Sequence, residues 1–145
     1  MPDRDLVHAT SVVIDGRVLL LGGRSGAGKS DLALRLIDRG ALLLSDDYTD
    51  LEARGPTLYA RPPEKIAGRI EIRGIGIVDM AFAGDGPVAL MLDLDADPVR
   101  LPDDPLPTSR LCGIDIPTLG FAAFESSAPI KAEQALLRHG LGGAS

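Results

Sequence analysis

"GGRSGAGKSDLALRLIDRG", residues 22–40, is the stretch on which the reading of the whole chain turns. Gly23-Arg24-Ser25-Gly26-Ala27-Gly28-Lys29-Ser30 fits G-x-x-x-x-G-K-[ST] at every fixed position. Glycines let a backbone bend until successive N–H groups face one anion. A helix that follows aims its N-terminus at the same charge. In that arrangement Lys29 supplies a mobile positive charge and Ser30 offers a hydroxyl to Mg²⁺. The pattern therefore predicts a phosphate loop for ATP and Mg²⁺, with Gly23 to Ser30 as the binding segment. The bland reading is a glycine-rich turn with a chance lysine. A strand before the loop and an amphipathic helix after it are the context that the functional reading requires.

Both are legible. Residues 10–14 (TSVVI) and 17–21 (RVLLL) read as strands joined by Asp15-Gly16, a strong hairpin signal. A two-residue turn there pairs Ile14 with Arg17, Val13 with Val18 and Thr10 with Leu21. Continued outward, the register carries His8 to Gly23, at the mouth of the loop; a bulge would shift this by one residue. After the loop, residues 30–39 read as a short helix with Leu32, Ala33, Leu36 and Ile37 on one face, and Gly40 is placed to end it. ALLLS (41–45) follows as an apolar strand, then Asp46-Asp47. Strand, loop, helix, strand predicts a βαβ unit with parallel strands and a right-handed crossover. The C-terminal strand ends then share the edge where ligands bind in α/β sheets.

The acidic pair is the second candidate feature. An aspartate ending an apolar strand beside a phosphate loop is placed to touch the magnesium shell. Two carboxylates suggest divided labour, one near the metal and one accepting a proton from an attacking hydroxyl. Acidic pairs are also common in solvated turns, and spacing alone leaves both readings open. The short gap from Lys29 to Asp46 is distinctive, because in many phosphate-loop enzymes the metal-binding aspartate comes from a later strand.

Further along, RIEIR (69–73) alternates apolar and charged residues, Gly74 and Gly76 follow, and the apolar character runs on to Met80. VALMLDL (88–94) reads as a buried strand, residues 98–107 as a proline-rich surface loop, and residues 130–139 as a terminal helix ending at Gly140. The tail LGGAS reads as loose.

The chain has 145 residues, one domain's worth, and 45% hydrophobic residues with only 3% aromatics, so an aliphatic core is expected. No apolar run approaches a membrane span, and the N-terminus lacks the stretch of a secretory signal. Cys112 is the lone cysteine, which excludes an intrachain disulfide and fits a cytoplasmic setting. Fifteen basic against 21 acidic residues, a net charge of −6, argue against a nucleic-acid binder with a broad basic surface. A small local anion site is compatible with that charge.

The combined pattern resembles the catalytic domain of HPr kinase/phosphorylase. Four segments carry the likeness: His8, G-R-S-G-A-G-K-S-D (23–31), L-L-L-S-D-D (42–47) and E-I-R-G-I-G-I (71–77). The last is the most discriminating, since phosphate loops occur in very many enzymes. The likeness covers most of residues 8–95 and fades afterwards. It implies a single domain over residues 1–145, the short form without the extra N-terminal domain of long members. It also implies an α/β fold akin to phosphoenolpyruvate carboxykinase, a mixed sheet with flanking helices. The implied activity is transfer of the ATP γ-phosphoryl group to a serine of HPr, a small phosphocarrier protein. The resemblance casts Asp46 as general base, Lys29 as a catalytic cation, and His8 as a neighbour of Asp46 that influences its protonation. It places Asp47, Ser30 and Glu71 around Mg²⁺. It also suggests self-association, the family forming ring-like hexamers.

By pattern alone His8 reads as a surface histidine and Glu71 as the solvent-facing charge of an alternating strand. Arg73 is open between a phosphate contact and the same solvent role. Three departures matter. Arg24 and Asp31 stand where the family loop usually has acidic and Glu residues. The arginine-containing R-P-G-R-N loop of long members is replaced by A-A-F-E-S-S (122–127), with Lys131 the nearest basic residue. That loop is associated with phosphorolysis, so the reverse reaction is the less expected one. Two rivals remain: a kinase for a small molecule on the same scaffold, and a nucleotide-sensing module without transferase activity.

Overall fold

The computed structural model describes residues 3–142. Eleven strands and two α-helices follow in chain order: β1 (Arg4–Val7), β2 (Ala9–Ile14), β3 (Arg17–Gly22), α1 (Lys29–Asp38), β4 (Leu42–Ser45), β5 (Thr49–Arg54), β6 (Thr57–Arg61), β7 (Arg69–Ile72), β8 (Gly76–Asp79), β9 (Gly86–Asp93), β10 (Thr108–Leu111), β11 (Ile114–Gly120) and α2 (Ala128–His139).

The Asp15-Gly16 hairpin forms in the expected register, Ile14 opposite Arg17, Val13 opposite Val18 and Thr10 opposite Leu21. Both turn residues take positive φ, 50° and 79°. That is the requirement of the tight turn whose twist matches the flanking strands, and Asp-Gly meets it at low cost. β3 carries five consecutive buried residues, Val18 to Gly22. Such a run belongs to a strand covered on both faces. Leu19 and Leu21 enter one apolar cluster, Val18 and Leu20 the other.

The main sheet runs β1-β5-β6-β9-β3-β2-β4, with β11 also on β9 and β10 on β11. β3 and β9 are parallel at the centre. The far edge of β9 is shared. Its start pairs antiparallel with β6 and its end parallel with β11. β4 does not lie against β3 as a minimal βαβ unit requires. β2 sits between them, antiparallel to both. β3 and β4 therefore run the same way without bonding each other, because the Asp15-Gly16 turn fills the adjacent place with β2. Their C-terminal ends still share one edge. β7 and β8 form a separate two-stranded sheet.

Both helices pack on one face rather than flanking the sheet. Leu32, Ala33 and Leu36 of α1 join Ala128, Ala132, Ala135 and Leu136 of α2 over Val12, Leu19, Leu43 and Leu90. The buried residues of the second cluster are all strand residues. α1 closes with the Gly40 N–H on Ile37 O and the Ala41 N–H on Leu36 O, both at 3.0 Å, the paired bonds of a helix that ends at glycine.

The terminal helix begins at Ala128, two residues earlier than the pattern suggests, with Pro129 in its first turn. The tail is tied down where it is described: the Leu141 N–H donates to Ala89 O, and Arg17 donates to Leu141 O. Residues 143–145 of the LGGAS segment lie outside the described residues.

Leu36 is fully buried and locks α1 to the sheet. Leu36→Ala is expected to lower unfolding free energy by about 2–5 kcal/mol, the cost of a large core truncation and its cavity. Urea denaturation followed by circular dichroism measures it.

Candidate functional site

The loop between β3 and α1 returns on itself through positive-φ glycines. Gly28 has φ +96°, and a Cβ there would sit 3.0 Å from the Phe124 ring and 3.2 Å from Ala123 Cβ. Glycine is thus needed at position 28 for both backbone and space. The next residue begins α1, so the N-terminal N–H groups of the helix open toward the loop. Lys29 is buried, and its ammonium donates to Gly23 O at 2.6 Å and Arg24 O at 2.9 Å. Two of its three donors are therefore held by its own loop, a compensation a buried charge needs.

The edge at the end of β4 supplies the acids. Asp46 is only 8% exposed. Its Oδ1 accepts from the Ser30 hydroxyl at 2.5 Å and the Thr10 hydroxyl at 3.2 Å, and its Oδ2 from the Glu71 backbone N–H at 3.0 Å. Asp47 has φ +70°, and its side chain is 57% exposed, beside His8 Nε2 at 2.8 Å. The Tyr48 ring stacks on His8 with centroids 5.0 Å apart. Thr10 connects the two acids, its hydroxyl accepting from the Asp47 N–H at 3.0 Å while donating to Asp46. Ser45 Oγ donates to Tyr48 O, and the Tyr48 N–H to Asp46 O, which tightens the same turn.

These groups surround a cleft of about 910 Å³ lined by Lys29, Ser30, Asp46, Asp47, Glu71 and Arg73 among others. Arg73 thus stands at the cleft. Glu71 reaches Asp46 through its backbone, while its side chain is exposed. Within the loop, Ser25, Gly26, Gly28, Lys29 and Ser30 line this cleft. Arg24, Gly26 and Ala27 face a second groove. The Arg24 guanidinium points outward beside Asp95, whose carboxylate also holds the Arg24 N–H. Gly23 contributes the carbonyl that holds Lys29. Lys131 is paired with Glu125 at 2.9 Å.

His8, expected near Asp46, bonds the adjacent Asp47. The strand pairing ends at Ala9 opposite Gly22, so His8 leaves the register before reaching Gly23. The left-handed turn at Asp47 brings that side chain to it. Ser30, expected with Asp47, contacts the carboxylate of Asp46.

Thr10 and Tyr48 escaped the sequence reading. The available signal for Thr10 was a polar residue opening an apolar strand. Among the described residues no three His, Cys, Asp or Glu side chains are gathered to hold a metal ion. The Ser30 hydroxyl, with Asp47 and Glu71 lining the same cleft, suits Mg²⁺, which keeps several waters and phosphate oxygens and needs only one or two protein ligands. Burial, with Asp5 and Asp3 nearby, pushes the Cys112 thiol up, so it holds little of the reactive thiolate. Among the described residues no helix is long and apolar enough to cross a membrane.

A mixed α/β sheet that gathers a glycine loop and a buried lysine after β3 and an acidic pair after β4 on one edge defines a site class, and the comparisons give it a family. Residues 1–89 match the model of the HPr Serine kinase C-terminal domain. The chain is 40% identical over 97 residues to the HPr kinase/phosphorylase of Lactococcus lactis subsp. lactis (strain IL1403), covering 66% of this chain and 31% of that protein. It is 42% identical over 81 residues to that of Streptococcus thermophilus (strain CNRZ 1066), covering 55% and 26%. The structure of the Hpr(Ser) kinase/phosphatase from Coxiella burnetii superposes with a TM-score of 0.79 at 33% identity, over 92% of this chain and 94% of that one. The chain belongs to the HPr serine kinase C-terminal domain family. It spans less than a third of the length of the curated relatives named here.

Thr10 is fully buried, so Thr10→Val keeps its shape while removing the hydroxyl. It leaves the Asp47 N–H without that acceptor and Asp46 one donor short. A loss of about 1–3 kcal/mol in stability is expected, measured by urea denaturation, with Thr10→Ser restoring most of it.

Proposed function

We propose that this chain is a Mg²⁺- and ATP-dependent phosphotransferase that phosphorylates a serine of an HPr-type phosphocarrier protein. The observation that carries the reading is the meeting of Lys29, Ser30 and Asp46 in one cleft, with an alcohol already donating to the carboxylate at 2.5 Å. The loop N–H groups and Lys29 stabilise charge on the transferring phosphoryl group. When bound, Mg²⁺ supplies charge neutralisation at the phosphates, with the Ser30 hydroxyl as its protein ligand and Asp47 and Glu71 at the rim as further candidates.

Asp46 is the proposed base. Thr10 and the Glu71 N–H fix its orientation. A carboxylate offers about four acceptor positions, and three are occupied here. The remaining position, and the one Ser30 vacates if it turns to a metal, suit the substrate hydroxyl. The serine oxygen bonds to the γ-phosphorus, the bond to ADP breaks, and the hydroxyl proton passes to Asp46. His8 is a positioning residue that holds Asp47. The proposed reaction is the forward transfer alone: residues 122–127 contain no arginine and Lys131 is paired with Glu125.

Purified protein incubated with γ-labelled ATP, Mg²⁺ and HPr is expected to yield phosphoserine on HPr. Label on a metabolite instead would favour the small-molecule kinase; ATP binding with no modified acceptor would favour the sensing module. Lys29→Ala is expected to lower transfer by about 10²–10³-fold, the scale of losing one charge-stabilising donor.

Asp46→Asn is expected to bind ATP normally while losing roughly 10²–10⁴-fold in transfer rate. Asp47→Asn should chiefly raise the Mg²⁺ concentration required. The opposite pattern in rate and Mg²⁺ titrations would exchange the roles of the two acids.

A further inference from the structure

The glycine loop separates two cavities. On one side lies the polar cleft with Lys29 and the acids. On the other lies a groove of about 520 Å³ between residues 94–98 and residues 121–125. The two meet at Gly26 and Phe124, which line both. Phe124 is 72% exposed, an unusual position for one of only three phenylalanines in the chain. Its ring rests against Gly28, where any larger residue would strike it.

This ring is held, not loose. Arg35, on the helix that begins at the glycine loop, donates to Ala123 O and to Glu125 O, the carbonyls on either side of Phe124. Arg35 is itself braced by Asp31 at 3.1 Å. The Phe121 N–H bonds Asp93 O, and the Ala128 N–H bonds Glu125 O, so both ends of the segment are anchored. The ring is thus presented to solvent by a fixed backbone, next to the proposed phosphate site.

We propose that Phe124 is the stacking platform for the nucleotide base, with the groove taking the nucleoside while the cleft takes the phosphates. The inference rests on the nucleotide reading given above. A nucleotide is anionic at one end and flat and uncharged at the other. The two adjoining cavities differ in their supply of positive charge: the cleft has Lys29, Arg69 and Arg73, and the groove has Arg24 alone. Asp95, Asp97 and Glu125 outnumber Arg24 along the groove, which disfavours phosphate there and suits the hydroxyl and amino donors of a nucleoside. Aromatic stacking tolerates any base, because every base has a π-face.

The experiment is calorimetric titration of the intact protein with MgATP and, separately, with magnesium tripolyphosphate, which has the phosphates but no base. Phe124→Ala is expected to weaken ATP binding about tenfold, within the range of one base–aromatic stack, and to leave tripolyphosphate binding unchanged. Phe124→Trp is expected to keep ATP affinity, with its fluorescence quenched by ATP and not by tripolyphosphate. Unchanged ATP affinity in Phe124→Ala overturns the inference, as does an equal loss for both ligands, which would mean that the ring only shapes the loop. A lower affinity for HPr with ATP binding intact overturns it too, assigning the ring to the acceptor. If the unaltered protein binds neither ligand, the nucleotide reading itself falls and this inference with it.

Discussion

The carboxylate of Asp46 accepts hydrogen bonds from three separate parts of the chain: Thr10 on β2, Ser30 in the first turn of α1, and the Glu71 backbone on β7. It does so almost out of contact with water. A buried carboxylate is costly unless its lone pairs are met, so these three partners cannot drift independently. The strand, the helix start and the small two-stranded sheet are tied to one atom group. The site's geometry follows from that constraint more than from any single motif. Thr10 extends it by using the same hydroxyl to hold the backbone of Asp47.

Around this point the fold divides its duties. The helix-covered face is an aliphatic core in which α1 and α2 share residues, and it fixes where the glycine loop begins. The other face is packed by strands alone. Because β3 is buried on both sides, the strand that delivers the loop has little freedom to shift. Asp47, His8 and Tyr48 lie further out, more exposed and at a left-handed turn. Rigid floor and open rim fit the proposed reading, in which a small charged ligand is held firmly and a larger partner enters from outside.

The segment from Phe121 to Ser127 lies beyond residues 1–89, where the chain matches the HPr Serine kinase C-terminal domain. It contains no basic residue. It presents an aromatic ring instead, and its backbone carbonyls are gripped by Arg35 from the helix beneath. The positive charge near this edge is therefore used to shape a loop.

Local pattern was sufficient for the hairpin register, the extent of α1, the buried strand near residues 88–94 and the terminal helix. Each is set by short-range rules: a two-residue turn, a helical repeat, an unbroken apolar run. The glycine loop and the acidic pair were visible for the same reason, being contiguous in the chain. The strands β1, β5, β6, β10 and β11 were not: their own patterns are weak, and although β5 pairs β6 and β10 pairs β11 as local hairpins, β1 on β5, β6 on β9 and β11 on β9 join residues far apart in sequence. The insertion of β2 between β3 and β4, and the placement of both helices on one face, also required the assembled sheet. So did the pairing of His8 with Asp47 and of Ser30 with Asp46. Adjacent aspartates look interchangeable in a sequence, whereas a left-handed backbone at the second turns their side chains toward different neighbours. What the amino-acid order determined by itself was which chemical groups are present and which segments are regular; which group meets which was decided only when the sheet closed, because those contacts join residues that no local rule connects.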